Sequence, residues 1–114
     1  MKLEMVQFVK DNLEFFSKYE LVSTGTTGTR IMEATNLEIH RYKSGPLGGD
    51  QQIGAEITVG NIGAVLFFRD AMTAQPHEPD IVALIRIADV HKVPIATNLS
   101  TAKLIVKALQ QADL

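Results

Sequence analysis

Apolar segments of strand length alternate along this chain with amphipathic segments of helix length. Helical spacing is clearest at the start, where apolar residues recur every three or four positions from Leu3 to Phe16. Strict alternation of the two kinds of segment favours parallel strands, because each intervening helix returns the chain to the same end of the sheet. The pattern therefore predicts an α/β fold, a three-layer sandwich in which helices cover both faces of a parallel sheet.

The predicted elements follow from these periods and from the turn residues between them. Residues 63–68 are apolar on both faces, as in a buried strand of a parallel sheet. Asn36 is expected to end one helix in the left-handed conformation, and Ser100 to cap another. The predicted strands are residues 21–23, 37–42, 63–68 and 93–97, and the predicted helices are residues 2–18, 30–36, 51–59, 79–91 and 101–111.

Length, charge and cysteine content exclude several classes of protein. A chain of 114 residues forms one domain, which we take to be residues 1–114. The net charge of −2 provides no field to attract nucleic acid, and the lack of cysteine excludes disulfides, a thiol nucleophile and thiolate metal sites. The longest apolar run, residues 62–68, is too short to cross a membrane, and the first residues carry charges that a signal peptide lacks. We therefore expect a cytoplasmic protein that binds neither nucleic acid nor membrane.

A threonine-rich segment, Thr24-Gly25-Thr26-Thr27-Gly28-Thr29, lies between a predicted strand and a predicted helix. Backbone amides, several hydroxyl groups and a helix N-terminus together suit a phosphate group. The segment lacks the Gly-Lys-Ser/Thr of a nucleotide-binding P-loop and the third glycine of a dinucleotide fingerprint, so a small phosphomonoester fits better than ATP or NAD. The alternative is a tight threonine-rich turn without a ligand, and the segment alone does not decide between them.

A second segment, Ser44-Gly45-Pro46-Leu47-Gly48-Gly49-Asp50-Gln51-Gln52, ends a glycine-rich turn on a carboxylate. Glycine lets the backbone approach a ligand closely, and Asp50 lies where helical spacing resumes. Asp50 is therefore a candidate general base beside an anion site. An isolated Asp at such a position is more often a helix N-cap, but the surrounding glycines favour a functional role.

A third polar segment carries His77 and Asp80 and follows a predicted strand. Two prolines stiffen the loop around His77, so its imidazole is a candidate for an oriented catalytic group. Asp80 lies just inside a predicted helix, where a carboxylate also stabilises the helix dipole. His40 and His91 are interpreted as solvated surface residues, and one His with scattered Asp residues does not make a metal ligand set. Because parallel strands end at one edge of a sheet, the three polar segments are expected to face a single ligand.

The ordered set of motifs, from the threonine-rich segment through Pro76-His77-Glu78-Pro79-Asp80 to Ala96-Thr97-Asn98, resembles the methylglyoxal synthase family over about residues 2–108. The resemblance implies a methylglyoxal synthase-like, Rossmann-like fold and a lyase that converts dihydroxyacetone phosphate to methylglyoxal and phosphate. It also implies a homohexamer that uses no metal and no organic cofactor. By the same resemblance Asp50 is the general base, His77 serves the oxygens of an enediolate intermediate, and Asp80 is an assisting carboxylate. The implied phosphate pocket consists of Lys2, Thr24, Thr26, Thr27, Ser44 and Gly45.

The chain departs from the family pattern at its start. Family members open with a strand that ends in a His-Asp pair, and this sequence starts near the lysine that follows the pair, matched by Lys2. That strand is expected in the middle of the sheet, so its absence leaves two neighbouring strands unpaired on one side or forces the others to rearrange. We expect this 114-residue form to be poorly stable and weakly active. Two alternatives stay open: a non-catalytic regulatory domain that binds a phosphorylated ligand, as in carbamoyl phosphate synthetase, and an inactive truncated fragment.

Overall fold

The computed structural model describes residues 2–69, 72 and 78–112. The helices are α1 (Lys2–Asp11), α2 (Leu13–Phe16), α3 (Gly25–Thr35), α4 (Gly49–Thr58), α5 (Glu78–Val90) and α6 (Leu99–Ala112). The strands are β1 (Leu21–Ser23), β2 (Ile39–Arg41), β3 (Val65–Leu66) and β4 (Ile95–Ala96), and a short 3-10 turn spans Gly45–Leu47. None of the described helices combines the length and the apolarity needed to cross a bilayer.

The four strands pair in parallel, as predicted, but they form two sheets rather than one. β1 pairs with β2, with Val22 opposite His40, and β3 pairs with β4, with Leu66 opposite Ala96. The predicted strand direction is therefore confirmed. This interruption agrees with the expectation that two neighbouring strands are left unpaired on one side, since among the described residues β1 and β3 each have a strand partner on one side only.

β1 and β3 both line a cavity of about 160 Å³, which we call the inter-sheet cavity. The carbonyl oxygen of Ser23 accepts the N–H of Tyr42 at 2.8 Å, so the backbone of Ser23 faces the β2 side. The N–H of Val65 likewise donates to Pro94 at 2.9 Å, on the β4 side. Because backbone groups alternate in direction along a strand, those of Val22 and Leu66 point away from β2 and β4. Val22 and Leu66 also line the inter-sheet cavity, which is where the sheet is interrupted.

The strand predicted at residues 63–68 is shorter and more exposed than its composition indicates. Only Val65–Leu66 pairs as a strand, and residues 64–68 are half-buried. These residues line the inter-sheet cavity. The apolar run predicted the presence of the strand correctly, but the prediction that it is buried is wrong.

The main hydrophobic core gathers side chains from α1, α2, α3 and α6 against the strands. Aromatic contacts hold its centre, where the ring of Phe8 lies 6.0 Å from that of Phe16 and 5.9 Å from that of Phe68 between centroids. Burial of such large rings is the main source of stability for a domain of this size. The buried members are Met5, Phe8, Val9, Phe15, Phe16, Ile31, Ala96, Ala102 and Val106.

A second set of buried contacts joins α4 to α5. Ile57 of α4 and Ile81 of α5 are both almost completely buried, and Leu84 and Ala88 continue the buried face of α5. The helical spacing of Ile81, Leu84, Ile85 and Ala88 predicts that they face inward, which is confirmed for Ile81, Leu84 and Ala88, whereas Ile85 is half-buried. This packing brings together the first turns of α4 and α5, which carry Asp50 and Asp80.

Several predicted helix boundaries are wrong, and side-chain hydrogen bonds explain two of the differences. The first helix breaks at Asn12, whose side-chain amide donates to the carbonyl oxygen of Phe8 at 2.9 Å and so competes with the helical ladder. α6 begins at Leu99, because Asn98 rather than Ser100 caps it by accepting the N–H of Thr101 at 2.9 Å. α3 begins at Gly25 and not at Arg30, so the threonine-rich segment is largely helical. The predicted stop at Asn36 is confirmed, with φ of 62°.

Candidate active site

Asp50 lies in the first turn of α4 with only 3% of its surface exposed. The residue that caps this helix is Gly48, at φ 106°, a left-handed conformation that glycine adopts without strain. The interpretation of Asp50 as an N-cap is therefore wrong. Within the described part of the chain Asp50 is the one buried charged residue. Acidic side chains are seldom buried to this degree without a specific reason, which makes this position a candidate for chemistry.

The threonine-rich segment forms the N-terminus of α3, with Thr24 as the N-cap. The first helical hydrogen bond runs from the N–H of Gly28 to the carbonyl oxygen of Thr24 at 3.0 Å, so earlier amides have no acceptor within the helix. The N–H of Gly25 donates instead to the carbonyl oxygen of Lys43 at 3.2 Å. The amides of Thr26 and Thr27 remain at the positive end of the helix dipole, an arrangement that suits an anion.

Asp50 shares the inter-sheet cavity with two of the predicted phosphate-binding residues, Thr24 and Thr27. The cavity also has apolar walls from Ile53 and Leu84. A small site with apolar walls and a few converging polar groups is the usual form of a ligand pocket. The structure therefore brings the candidate base and the start of α3 to one place, although they lie 23 or more positions apart in the chain.

The turn at Ser44 and Gly45 lies directly against the start of α3. A Cβ atom on Gly25 would lie 3.0 Å from the carbonyl oxygen of Tyr42 and 3.4 Å from the N atom of Ser44, so glycine permits this close approach. The turn continues into α4, because the carbonyl oxygen of Ser44 accepts the N–H groups of Leu47 and Gly49, each at 3.0 Å. Ser44 and Gly45 thus connect the threonine-rich segment to the helix that carries Asp50.

Asp80 is the third residue of α5 and lies next to the first turn of α4. The side-chain Nε2 of Gln51 donates to Oδ1 of Asp80 at 2.7 Å. Since Gln51 directly follows Asp50, this hydrogen bond places Asp80 at the same end of α4 as the buried carboxylate. The convergence of Asp50 and Asp80 on one ligand stays a prediction.

Thr26 and Ser44 line a different, shallower surface concavity, beside Arg41 and Tyr42. In that concavity Nη1 of Arg41 donates to Oγ1 of Thr29 at 2.7 Å. Burial first and the carboxylate of Glu56 second raise the pKa of Tyr42 above its ordinary value of 10.0. Thr24 and Thr27 therefore line one depression, and Thr26 and Ser44 line another.

Two predicted site residues cannot be placed in this geometry. His77 lies outside the described residues, and so does the side chain of Lys2, whose backbone begins α1. Their proposed roles stay predictions. In the described part of the chain, no group of three or more His, Cys, Asp or Glu side chains is arranged to hold a metal ion.

Sequence reasoning missed the two glutamines that follow Asp50. Gln51 bonds to Asp80, and Oε1 of Gln52 accepts the backbone N–H of Lys43 at 2.8 Å. The signal available in the sequence was their position, since two amide side chains directly after a candidate base lie in the first helical turn beside it. Nothing in the sequence indicates which partners they reach.

The fold and site described above define a small parallel α/β domain in which a helix N-terminus and a buried carboxylate share one cavity. The MGS-like domain family matches residues 4–97, and the chain belongs to this family. The family and the α/β fold class predicted from the motifs are therefore confirmed.

Similar proteins come from several bacteria. A methylglyoxal synthase of Borreliella burgdorferi (strain ZS7) is 60% identical over 109 residues, which are 96% of this chain and 86% of that protein. One of Carboxydothermus hydrogenoformans is 60% identical over 108 residues, 95% of this chain and 89% of that protein. The crystal structure of methylglyoxal synthase from Elizabethkingia anophelis NUHP1 matches with a TM-score of 0.87 at 43% identity, covering 92% of this chain and 69% of that one.

Proposed function

We propose that this chain is a methylglyoxal synthase, a lyase that converts dihydroxyacetone phosphate into methylglyoxal and inorganic phosphate. Relatives that are 60% identical over nearly the whole chain carry that name. The observation that supports the activity in this chain is the burial of Asp50 in the same cavity as Thr24 and Thr27. A module that only binds a phosphorylated ligand needs no base beside it, whereas proton abstraction from the substrate does.

Asp50 acts as the general base. It removes a proton from the hydroxymethyl carbon of the substrate, and the electron pair of that C–H bond forms the enediolate. The enediolate electrons then form a new carbon–carbon double bond as the bond between carbon and the phosphate oxygen breaks. The resulting enol tautomerises to methylglyoxal: its methylene carbon gains a proton and its hydroxyl group loses one. The proton that Asp50 took up is released to the departing phosphate, so the reaction balances without water or an oxidant.

The phosphate of the substrate binds at the start of α3 and the neighbouring turn. The amides and hydroxyls of Thr26 and Thr27, the hydroxyl of Thr24, and Ser44 with Gly45 supply the donors in this proposal, with Lys2 as a cation. The helix N-terminus and the Gly25 contact with the Ser44 turn support this assignment. The protein lowers the barrier by positioning the phosphate and stabilising its charge.

His77 and Asp80 complete the proposed site. His77 serves the carbonyl and hydroxyl oxygens of the enediolate, where charge develops during proton removal. Asp80 assists as a second carboxylate, and its hydrogen bond to Gln51 beside Asp50 supports this placement. The phosphate pocket holds the bond between carbon and the phosphate oxygen where it overlaps the π system of the enediolate. This overlap allows phosphate to be eliminated.

The remaining parts of the proposal extend the family resemblance. The chain is one domain over residues 1–114, works in the cytoplasm, and assembles as a homohexamer. It takes a small phosphorylated triose as substrate and uses no metal or organic cofactor.

The purified chain should be incubated with dihydroxyacetone phosphate while methylglyoxal and inorganic phosphate are measured together. Equal amounts of the two products, above an enzyme-free control, are the expected result. Binding of inorganic phosphate without turnover would favour the regulatory-domain alternative. Neither binding nor turnover in a folded chain would favour the inactive fragment.

A further inference from the structure

We propose that Gln51 and Gln52 are positioning residues, which hold Asp80 and the Ser44 turn in fixed relation to Asp50. The two glutamines follow Asp50 directly in α4 and reach in different directions. The inference rests on the proposed function, which assigns Asp50 and Asp80 to one reaction and the Ser44 turn to its phosphate.

Gln51 fixes the second carboxylate. Its Nε2 donates to Oδ1 of Asp80 at 2.7 Å, across 29 positions of sequence. A hydrogen bond from an amide to a carboxylate is charge-assisted, and this one is short and specific to one carboxylate oxygen. Close packing of α5 side chains against α4 supports it, since a Cβ atom on Gly54 would lie 3.1 Å from the side-chain atom Cδ1 of Ile87. The orientation of Asp80 is therefore set from the residue next to Asp50.

Gln52 fixes the phosphate side of the site. Its Oε1 accepts the backbone N–H of Lys43 at 2.8 Å. The carbonyl oxygen of the same Lys43 accepts the N–H of Gly25 at 3.2 Å, at the start of α3. The residue before Ser44 is thus held from α4 on one side and from α3 on the other. A shift of Gln52 would move the Ser44 turn relative to both helices.

Gln51 donates its hydrogen bond, whereas Gln52 accepts one. Substitution by Glu is therefore expected to have different effects at the two positions. Gln51 uses its N–H group, so Gln51→Glu removes the donor and places a carboxylate against the carboxylate of Asp80. Gln52 uses its oxygen, so Gln52→Glu keeps an acceptor for the N–H of Lys43, whereas Gln52→Leu removes it. Gln110, which is exposed in α6, provides the matched control Gln110→Glu.

The kinetic constants kcat and KM of these variants test the inference in the intact chain. Gln51→Glu is expected to lower kcat about tenfold or more, the scale of losing one hydrogen bond to a charged group, with a smaller change in KM. Gln52→Leu is expected to raise KM about tenfold with a smaller change in kcat, and Gln52→Glu to restore most of the affinity. Gln51→Glu behaving like Gln110→Glu, or Gln52→Leu behaving like Gln52→Glu, would overturn the inference.

Two measurements without turnover separate a failure of the inference from a failure of the proposed function. The side-chain amide signals of Gln51 in an NMR spectrum should move in Asp80→Asn and stay in place in Asp89→Asn. Inorganic phosphate should bind about tenfold more weakly to Gln52→Leu than to Gln52→Glu. If the chain makes no methylglyoxal, the proposed function is wrong. The amide signals and the phosphate affinities still show whether Gln51 holds Asp80 and whether Gln52 holds the Ser44 turn. Gln51 amide signals that are the same in the parent chain and in Asp80→Asn would show that Gln51 does not hold Asp80.

Discussion

The N–H of Gly25 donates to the carbonyl oxygen of Lys43 at 3.2 Å, and this bond joins the start of α3 to the turn that carries Ser44. Gly49 lies against the same carbonyl group, since a Cβ atom there would overlap the oxygen of Lys43. The carbonyl group of Lys43 thus contacts the first residue of α3 and the first residue of α4. The predicted phosphate pocket and the candidate base are connected through it.

Substituting Gly49 by Ala is expected to destabilise the protein by about 1–3 kcal/mol, the scale of overpacking a tight contact. The new methyl group would meet backbone atoms of Lys43 and Ser44, which cannot rotate away as a side chain does. Urea unfolding measures the change. Gly63→Ala is the matched control, because a Cβ atom at Gly63 would have no atom within 4 Å and should leave stability unchanged or slightly higher. Equal stability of the two variants would contradict the role given to Gly49.

Asp50→Asn is expected to lower kcat at least about a hundredfold while phosphate binding stays within a few fold of the parent chain. The amide keeps the shape of the carboxylate but cannot accept the proton. Steady-state kinetics and phosphate titration measure the two effects separately. Asp89→Asn, at an exposed position of α5, serves as the control. An Asn variant with activity close to that of the parent would remove Asp50 from the role of base.

Thr27→Val is expected to weaken phosphate binding about tenfold, because it removes a hydroxyl donor to an anion but keeps the shape of the side chain. Thr27 lines the inter-sheet cavity beside Asp50. Calorimetric titration with inorganic phosphate gives the affinity. Thr58→Val, at an exposed position near the end of α4, should bind phosphate as the parent chain does. Matching affinities for both variants would place the phosphate elsewhere.

Adding an N-terminal strand that ends in His-Asp is expected to raise both the thermal unfolding temperature and the activity. Val22 and Leu66 direct backbone groups away from their strand partners, so a strand between β1 and β3 would form new hydrogen bonds. Each new hydrogen bond is worth about 1 kcal/mol, so several together form a substantial part of a total stability of about 5–15 kcal/mol. Differential scanning calorimetry compares the two lengths of chain. An extension of equal length with two prolines in the strand, which cannot pair in a sheet interior, is the control. Identical unfolding temperatures for all three chains would argue against strand addition.

Local patterns in the sequence determined which segments become helices and strands. The spacing of Ile81, Leu84, Ile85 and Ala88 predicted the inward face of α5, and all of them are buried except Ile85, which is half-buried. Asn36 ends α3 in the left-handed conformation, as its residue type indicates. These features depend on neighbours within about one helical turn, so the sequence carries them directly. The candidate base Asp50 also stood out, because its glycine-rich surroundings are local.

Tertiary structure decided the features that depend on contacts between distant residues. Helix ends differ from the predicted ones where a side chain hydrogen-bonds to the backbone, as Asn98 does by accepting the N–H of Thr101. The apolar run at 63–68 predicted a buried strand, but residues 64–68 line the inter-sheet cavity and are only half-buried, and β3 has one strand partner among the described residues. The partners of Gln51 and Gln52 lie 29 and 9 positions away, and only the packing of α4 against α5 and the Ser44 turn selects them. An amide side chain can bond to many groups, so its partner follows from the geometry of the fold and not from its own residue type.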